Sequence, residues 1–233
     1  MTEDEVSLRK QLVEYYQKVD ALGLNEMSSG NLSVRFRDEM LISPNGATGD
    51  SISLENIVRC SFNGEYQGKR LPSSEWRMHA SIYVKYADAG AVVHTHSDYC
   101  VAVASHEISL PGFHYLVGVF GGGDVPCVPY STFGREKLAK DASDALAERT
   151  ACLLGNHGMI AKAPNLKRAV NQAQRLEIMC RQYVLAKQIG EPKKLTKTDW
   201  EDFFKKADEI RDELELIGVT LEDSKDGTTW KMS

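Results

Sequence analysis

The stretch Ala91-Val92-Val93-His94-Thr95-His96-Ser97 constrains this chain more than any other. β-Branched valines pack well on a pleated surface, so Val92-Val93 reads as a buried strand. Side chains two apart on a strand share a face. His94 and His96 therefore project side by side from the strand end, while Thr95 faces away. Two imidazoles on one face make two corners of a tetrahedral metal site. Two corners are not a site, so the other ligands must come from elsewhere in the chain.

At 233 residues, with no repeat or low-complexity linker, the chain reads as a single domain. A net charge of −5 argues against a general nucleic-acid or membrane-surface binder. An anionic substrate would then need a locally positive site: a metal, backbone amides or a few placed cations. The five cysteines are scattered without a CxxC pair, so neither a disulfide framework nor a thiolate zinc site is indicated. They read as reduced thiols of a cytoplasmic protein. The acidic start Met1-Thr2-Glu3-Asp4-Glu5 has no signal-peptide character, and no apolar run is long enough to span a bilayer.

Leu8, Leu12, Tyr16, Val19 and Leu22 recur at helical spacing, which predicts an amphipathic helix from about Val6 to Leu22, stopped by Gly23. Ser28-Ser29-Gly30-Asn31 is a polar turn. Read alone it is a tight connection; the alternative is an anion nest, with Gly30 allowing close backbone approach and Ser28 and Asn31 offering donors. Alternation then predicts strands at Leu32–Phe36 and Met40–Ile42, followed by a Ser43-Pro44-Asn45-Gly46 turn.

Leu71-Pro72-Ser73-Ser74-Glu75 opens a helix. Glu75 either compensates the helix dipole or reaches a reacting atom beside a phosphate held by Ser73, Ser74 and free amides. His79, one turn on, reads as a packing histidine. Gly121-Gly122-Gly123 reads as a flexible break without the spacing of a nucleotide loop. Ala151–Leu154 reads as a short buried strand, running into Gly155-Asn156-His157-Gly158. The flanking glycines leave room for a ligand at His157. His157 is the best third corner for His94 and His96. Three histidines and an open position describe a catalytic metal site, with zinc the default and cobalt or manganese able to use the same nitrogens.

Ordered stretches of this chain resemble the class II aldolase/adducin-head family. They are Gly23-Leu24-Asn25 through Arg35, Leu71-Pro72-Ser73-Ser74-Glu75-Trp76-Arg77, Ala91–His96, His114-Tyr115, Pro129–Gly134 and Asn156–Ala161. They cover roughly residues 5 to 190. The resemblance implies an α/β fold: a three-layer α/β/α domain around a central mixed, largely antiparallel sheet, assembled as a homotetramer. It implies a zinc held by His94, His96 and His157, with Glu75 ligating at rest and acting as acid/base in turnover. It implies a phosphate site from Gly30, Asn31, Asn45, Gly46, Ser73 and Ser74. Tyr115 matches a tyrosine that reaches into the neighbouring subunit's site and donates a proton.

The chemistry so implied is a metal-dependent aldehyde-lyase of carbohydrate metabolism. It cleaves a ketose 1-phosphate reversibly to dihydroxyacetone phosphate and a small aldehyde. Glu75 followed by Trp-Arg is the aldolase form, where related 4-epimerases carry aspartate. Epimerases, dehydratases and decarboxylases of the same fold are the alternatives, and a non-catalytic adducin-like binding module is one of another class. The stretch after Gly190 has no clear counterpart. It predicts a charged helix from about Asp199 to Leu216 and a polar tail containing Thr228-Thr229-Trp230. Its divergence leaves L-fuculose 1-phosphate and a 5-deoxy- or 5-methylthio-pentulose 1-phosphate both open as substrates. Phe113, Phe120 and Phe133 are candidates for an apolar pocket, with core packing the expected use of at least two.

Overall fold

The computed structural model describes residues 2–217, 219–224 and 227–232. Helix α1 (Glu3–Ala21) starts earlier than its apolar spacing predicts. The Thr2 side chain accepts from the Glu5 amide, and three acidic residues in the first turn suit the positive end of the helix dipole. Strands β1 (Asn31–Phe36), β2 (Glu39–Ile42), β3 (Val58–Ser61) and β4 (Tyr66–Gln67) then meander to one edge of the sheet. Helix α2 (Trp76–Lys85) leads to the central strand β5 (Ala91–Thr95) and helix α3 (Asp98–Ala104). Beyond lie β6 (Leu110–Pro111), a 3₁₀ segment (Tyr115–Phe120), β7 (Asp124–Val125), β8 (Cys127–Val128) and α4 (Glu136–Ala145). Hairpin β9 (Ala151–Leu154) and β10 (Gly158–Ala163), long helix α5 (Leu166–Ile189), α6 (Lys197–Leu216) and hairpin β11 (Val219–Ser224) and β12 (Gly227–Met232) complete the chain.

The main sheet has the order β4-β3-β2-β1-β5-β10-β9-β8. Among the described residues its pairings are antiparallel except β8 with β9. The period-2 alternation of each strand sends one set of side chains to each face. Val92, Cys152, Leu154 and Ile160 pack with α2 and α4 through Met78, Ile82, Leu138 and Ala142. Val93, Leu153, Met159 and Ala161 pack with α1 and α5 through Leu12, Tyr16, Val170 and Leu176. Helices thus cover both faces, the expected three layers, with β5 and β10 sealed at the centre.

One expectation is corrected. The glycines at 121–123 are a packed segment, not a flexible break. A Cβ on Gly122 would meet the Arg149 guanidinium at 2.2 Å, and one on Gly123 would meet the Trp200 indole at 2.9 Å. The backbone of the polar tail forms a β-hairpin, with Val219 paired to Met232 and Leu221 to Trp230; the side chains after Val219 lie outside the described residues.

Helix α6 opens with the reciprocal Thr196–Asp199 capping box and has no fully buried residue of its own. It docks by Trp200, around which Gly112, Gly118 and Gly123 each leave space that a Cβ would fill. Trp200→Ala is therefore expected to undock α6 while leaving the sheet intact. Limited proteolysis should then cut within residues 190–197 well before the wild type is cut, and an unchanged cleavage pattern would refute this anchor.

Candidate active site

Antiparallel pairing of β1, β5 and β10 brings their ends together. His94 sits within β5 on the side facing α2, and His96 lies one residue past the strand. The Nε2 atoms of the two rings are 2.9 Å apart. His157 occupies the turn between β9 and β10, where Asn156 takes a left-handed φ of 50°. The flanking glycines serve packing, not ligand entry. A Cβ on Gly158 would lie 2.3 Å from the Thr95 carbonyl, so glycine there lets β10 close against β5. His157 is thereby set with its ring centre 4.9 Å from that of His94 and 4.7 Å from that of His96.

Glu75 completes the group. It stands immediately before α2 and leaves that helix without a side-chain cap, because its carboxylate turns inward to the histidines. Its oxygens lie 3.0 Å from His94 Nε2 and 3.2 Å from His157 Nε2. One ligand atom from each of Glu75, His94, His96 and His157 falls within 4.8 Å of all the others.

Protonation supports the same picture. His94 Nδ1 lies 2.7 Å from the Met159 carbonyl, an acceptor only, so Nδ1 carries the proton and donates. Burial, then the neighbouring His94 and His157, push His96 down to about 3, so its ring is neutral near pH 7. Burial opposes charge on His94 as well, but the Glu75 carboxylate outweighs it and raises that group. For Glu75 burial acts upward, yet His94 and His157 together hold it well below the usual carboxylate range. Glu75 Oε1 is sealed from solvent and makes no hydrogen bond of acceptable geometry. A buried carboxylate oxygen left over among ring nitrogens is costly by itself. Three imidazole nitrogens and a carboxylate that converge on one point fit a divalent cation.

A cavity of about 300 Å³ opens above this cluster. Glu75, His96 and His157 form its floor, Ser29, Ser74 and Asn156 line it with polar groups, and Tyr130, Ser131 and Phe133 complete the wall. It is not the largest hollow. A groove of about 860 Å³ between α2 and α4 is bigger, but its Lys85, Glu136, Lys137 and Lys140 are a solvated helix surface without such a donor set.

The expected phosphate residues divide. The 43–46 and 71–73 segments lie side by side through a bridge from Pro44 to Pro72, with Asn45 N donating to the Leu71 carbonyl and Ser73 N to that of Ser43. Asn45, Gly46 and Ser74 are exposed, and nothing lies within 4 Å of a Cβ built on Gly46. Ser73 is buried, its hydroxyl accepting from the Glu75 amide. The space beside Gly30 is taken by the Asn25 amide, which a Cβ would strike at 1.9 Å. Asn31 turns its side chain to Glu75 and His79.

Matching residues 10–184, the family model for the class II aldolase and adducin N-terminal domain covers three quarters of the chain. This chain belongs to the class II aldolase/adducin family. The L-fuculose phosphate aldolase of Escherichia coli (strain K12) is 39% identical over 185 residues, 79% of this chain and 86% of that protein. The 5-methylthioribulose-1-phosphate/5-deoxyribulose-1-phosphate aldolase of Rhodospirillum rubrum is 39% identical over 211 residues, 91% of this chain and 96% of that protein. A solved L-fuculose 1-phosphate aldolase superposes with a TM-score of 0.82 at 36% identity, covering 89% of this chain and 98% of the other.

For this family member, Tyr115 lies apart from the cavity. It is 55% exposed, stacked on His114 and in contact with Phe203 of α6. Of the three phenylalanines, Phe133 lines the cavity, Phe120 is fully buried and Phe113 packs on Tyr183. Sequence reasoning missed Tyr130, Ser131 and Asn156 as lining residues. All three fall inside stretches that carried the family resemblance, which was the available signal. It also missed Glu177, whose carboxylate accepts the Tyr99 and Cys100 amides and so fixes the start of α3 just after His96. Nothing in the local sequence around α5 marks that role. Among the described residues no helix is long and apolar enough to cross a membrane.

Proposed function

We propose that this protein is a divalent-cation-dependent aldolase that cleaves a ketose 1-phosphate to dihydroxyacetone phosphate and a small aldehyde. The observation that carries the reading is the convergence of His94, His96, His157 and Glu75 at the floor of a serine-rimmed cavity. A cation held there, zinc by default with cobalt or manganese as substitutes, supplies Lewis acidity for the negative charge that bond cleavage leaves on the sugar oxygens. Glu75 moves the proton at the sugar carbon from which the aldehyde departs, since its carboxylate is held ionised and close to the reacting end. Asn45, Gly46, Ser73 and Ser74, with the backbone at Gly30 and Asn31, hold the phosphate. Fixing that end spends its binding energy on orienting the other.

Tyr115 exchanges the proton of the C4 oxygen in the site of a neighbouring copy within a homotetramer. Its exposure supports that assignment, as does the fact that it does not line this chain's own cavity. The histidine cluster with Glu75 favours catalysis over an adducin-like binding role.

Of the two substrate groups, we favour a 5-deoxy- or 5-methylthio-pentulose 1-phosphate over L-fuculose 1-phosphate. At equal identity, the sequence match to the methylthioribulose/deoxyribulose enzyme spans 91% of this chain and the fuculose sequence match spans 79%. Phe133 gives the cavity an apolar wall suited to a methyl or thioether end.

A panel of ketose 1-phosphates with released dihydroxyacetone phosphate as readout tests the reading; no release from any member refutes it. Ser73→Ala combined with Ser74→Ala is expected to raise KM for the phosphorylated sugar at least tenfold, with kcat less affected. An unchanged KM would move the phosphate elsewhere. Each lost hydrogen bond to a charged oxygen is worth about 1.5–3 kcal/mol.

A further inference from the structure

Behind Glu75 runs a line of buried polar groups that do not line the cavity. Glu75, His79 and Tyr83 are spaced by four around the start of α2 and share a face, while Asn31 and Ser33 share a face of β1. Four residues of helix and two of strand advance by nearly the same distance, about 6 Å, so the two sets interleave. Asn31 Nδ2 lies 3.1 Å from Glu75 Oε2, and Asn31 Oδ1 lies 2.6 Å from His79 Nε2. Ser33 Oγ lies 2.7 Å from His79 Nδ1 and 2.8 Å from the Tyr83 hydroxyl. All five side chains are buried.

Only one arrangement of protons satisfies every contact. Asn31 presents its NH₂ group to Glu75 Oε2 and its carbonyl oxygen to His79 Nε2. That oxygen accepts only, so His79 Nε2 carries a proton. His79 is fully buried and, among the described residues, pairs with no carboxylate, so the ring is neutral and its Nδ1 bare. Nδ1 then accepts from the Ser33 hydroxyl, whose oxygen accepts from Tyr83.

We infer that Tyr83, Ser33, His79 and Asn31 form a one-way hydrogen-bond chain whose donors all point at Glu75. It fixes Oε2 by its far side and leaves Oε1 bare toward the cluster. His79 is thus a positioning residue and makes no contact with substrate. Such partners of a ligating carboxylate commonly change metal affinity or activity by 10–100-fold when removed. The inference rests on the reading of Glu75 as the proton-transfer group.

The first test is the histidine tautomer in the full-length, cation-free protein at pH 7, read from ¹H–¹⁵N correlations of the imidazole. The expected result is a single Nε2–H tautomer for His79; an Nδ1–H tautomer or an imidazolium overturns the chain. This readout does not depend on any substrate. Should the tautomer hold while Glu75→Gln turns over normally, the catalytic reading falls and the chain stands.

The second test compares His79→Phe with His79→Gln. Phenylalanine fills the space without polar groups, whereas glutamine can donate to Asn31 and accept from Ser33. His79→Phe is expected to weaken Zn²⁺ binding 10–100-fold and to lower kcat at least tenfold, with KM for the sugar phosphate within about twofold. His79→Gln should recover most of both. A phenylalanine variant equal to wild type, or a glutamine variant no better than phenylalanine, overturns the inference. If His79→Phe does not fold, the tautomer of the wild type decides.

Discussion

Glu75→Gln is expected to fold normally and to lose roughly 10²–10⁴-fold in kcat, the usual worth of a positioned acid–base group. The side chain keeps its shape, so Asn31 can still donate to its oxygen, and packing around α2 is undisturbed. What disappears is the charge. The carboxylate faces two ring nitrogens at 3.0 and 3.2 Å, and an amide cannot offer both of them an acceptor. Cation affinity should therefore fall alongside turnover. Saturating Zn²⁺ separates the effects: a turnover deficit that persists at saturation belongs to proton transfer. Steady-state kinetics with circular dichroism on the same preparation measure this, and near-normal kcat would remove Glu75 from the chemistry.

Stripping divalent cations with a chelator is expected to abolish cleavage, and Zn²⁺, Co²⁺ or Mn²⁺ should restore it. Without a cation, the buried Glu75 Oε1 has no adequate partner and three Nε2 atoms converge on one another. Filling the site should therefore also stabilise the fold. At a free ion concentration 100 times the dissociation constant the gain is about 2.7 kcal/mol, seen as a rise in Tm. His157→Ala should remove most of that rise, because His157 supplies one of the four donors. Full activity after exhaustive chelation would refute the dependence on a cation.

Much of the frame was legible because it depends on local periodicity. Val92-Val93 announced a buried strand, and Leu12, Tyr16 and Val19 marked the buried face of α1. His79 read correctly as a packed histidine because it falls on the inward face of α2. Glycines were harder to interpret. Sequence shows that a residue lacks a side chain but not what fills the space. Gly30, Gly123 and Gly158 proved to admit an asparagine, a tryptophan and a neighbouring strand of the same chain. Asn31 was similarly ambiguous, since an amide presents the same groups to a phosphate as to a carboxylate.

By itself the sequence determined which residues can bind a cation and which segments form sheet and helix, because ligand chemistry and hydrophobic spacing are properties of residues and their neighbours along the chain. Only the tertiary structure decided that positions 75, 94, 96 and 157 meet. That convergence depends on strand register, and a shift of one residue would turn His94 to the opposite face of the sheet. The same register sets Asn31 and Ser33 between the turns of α2, which no local pattern of either segment encodes.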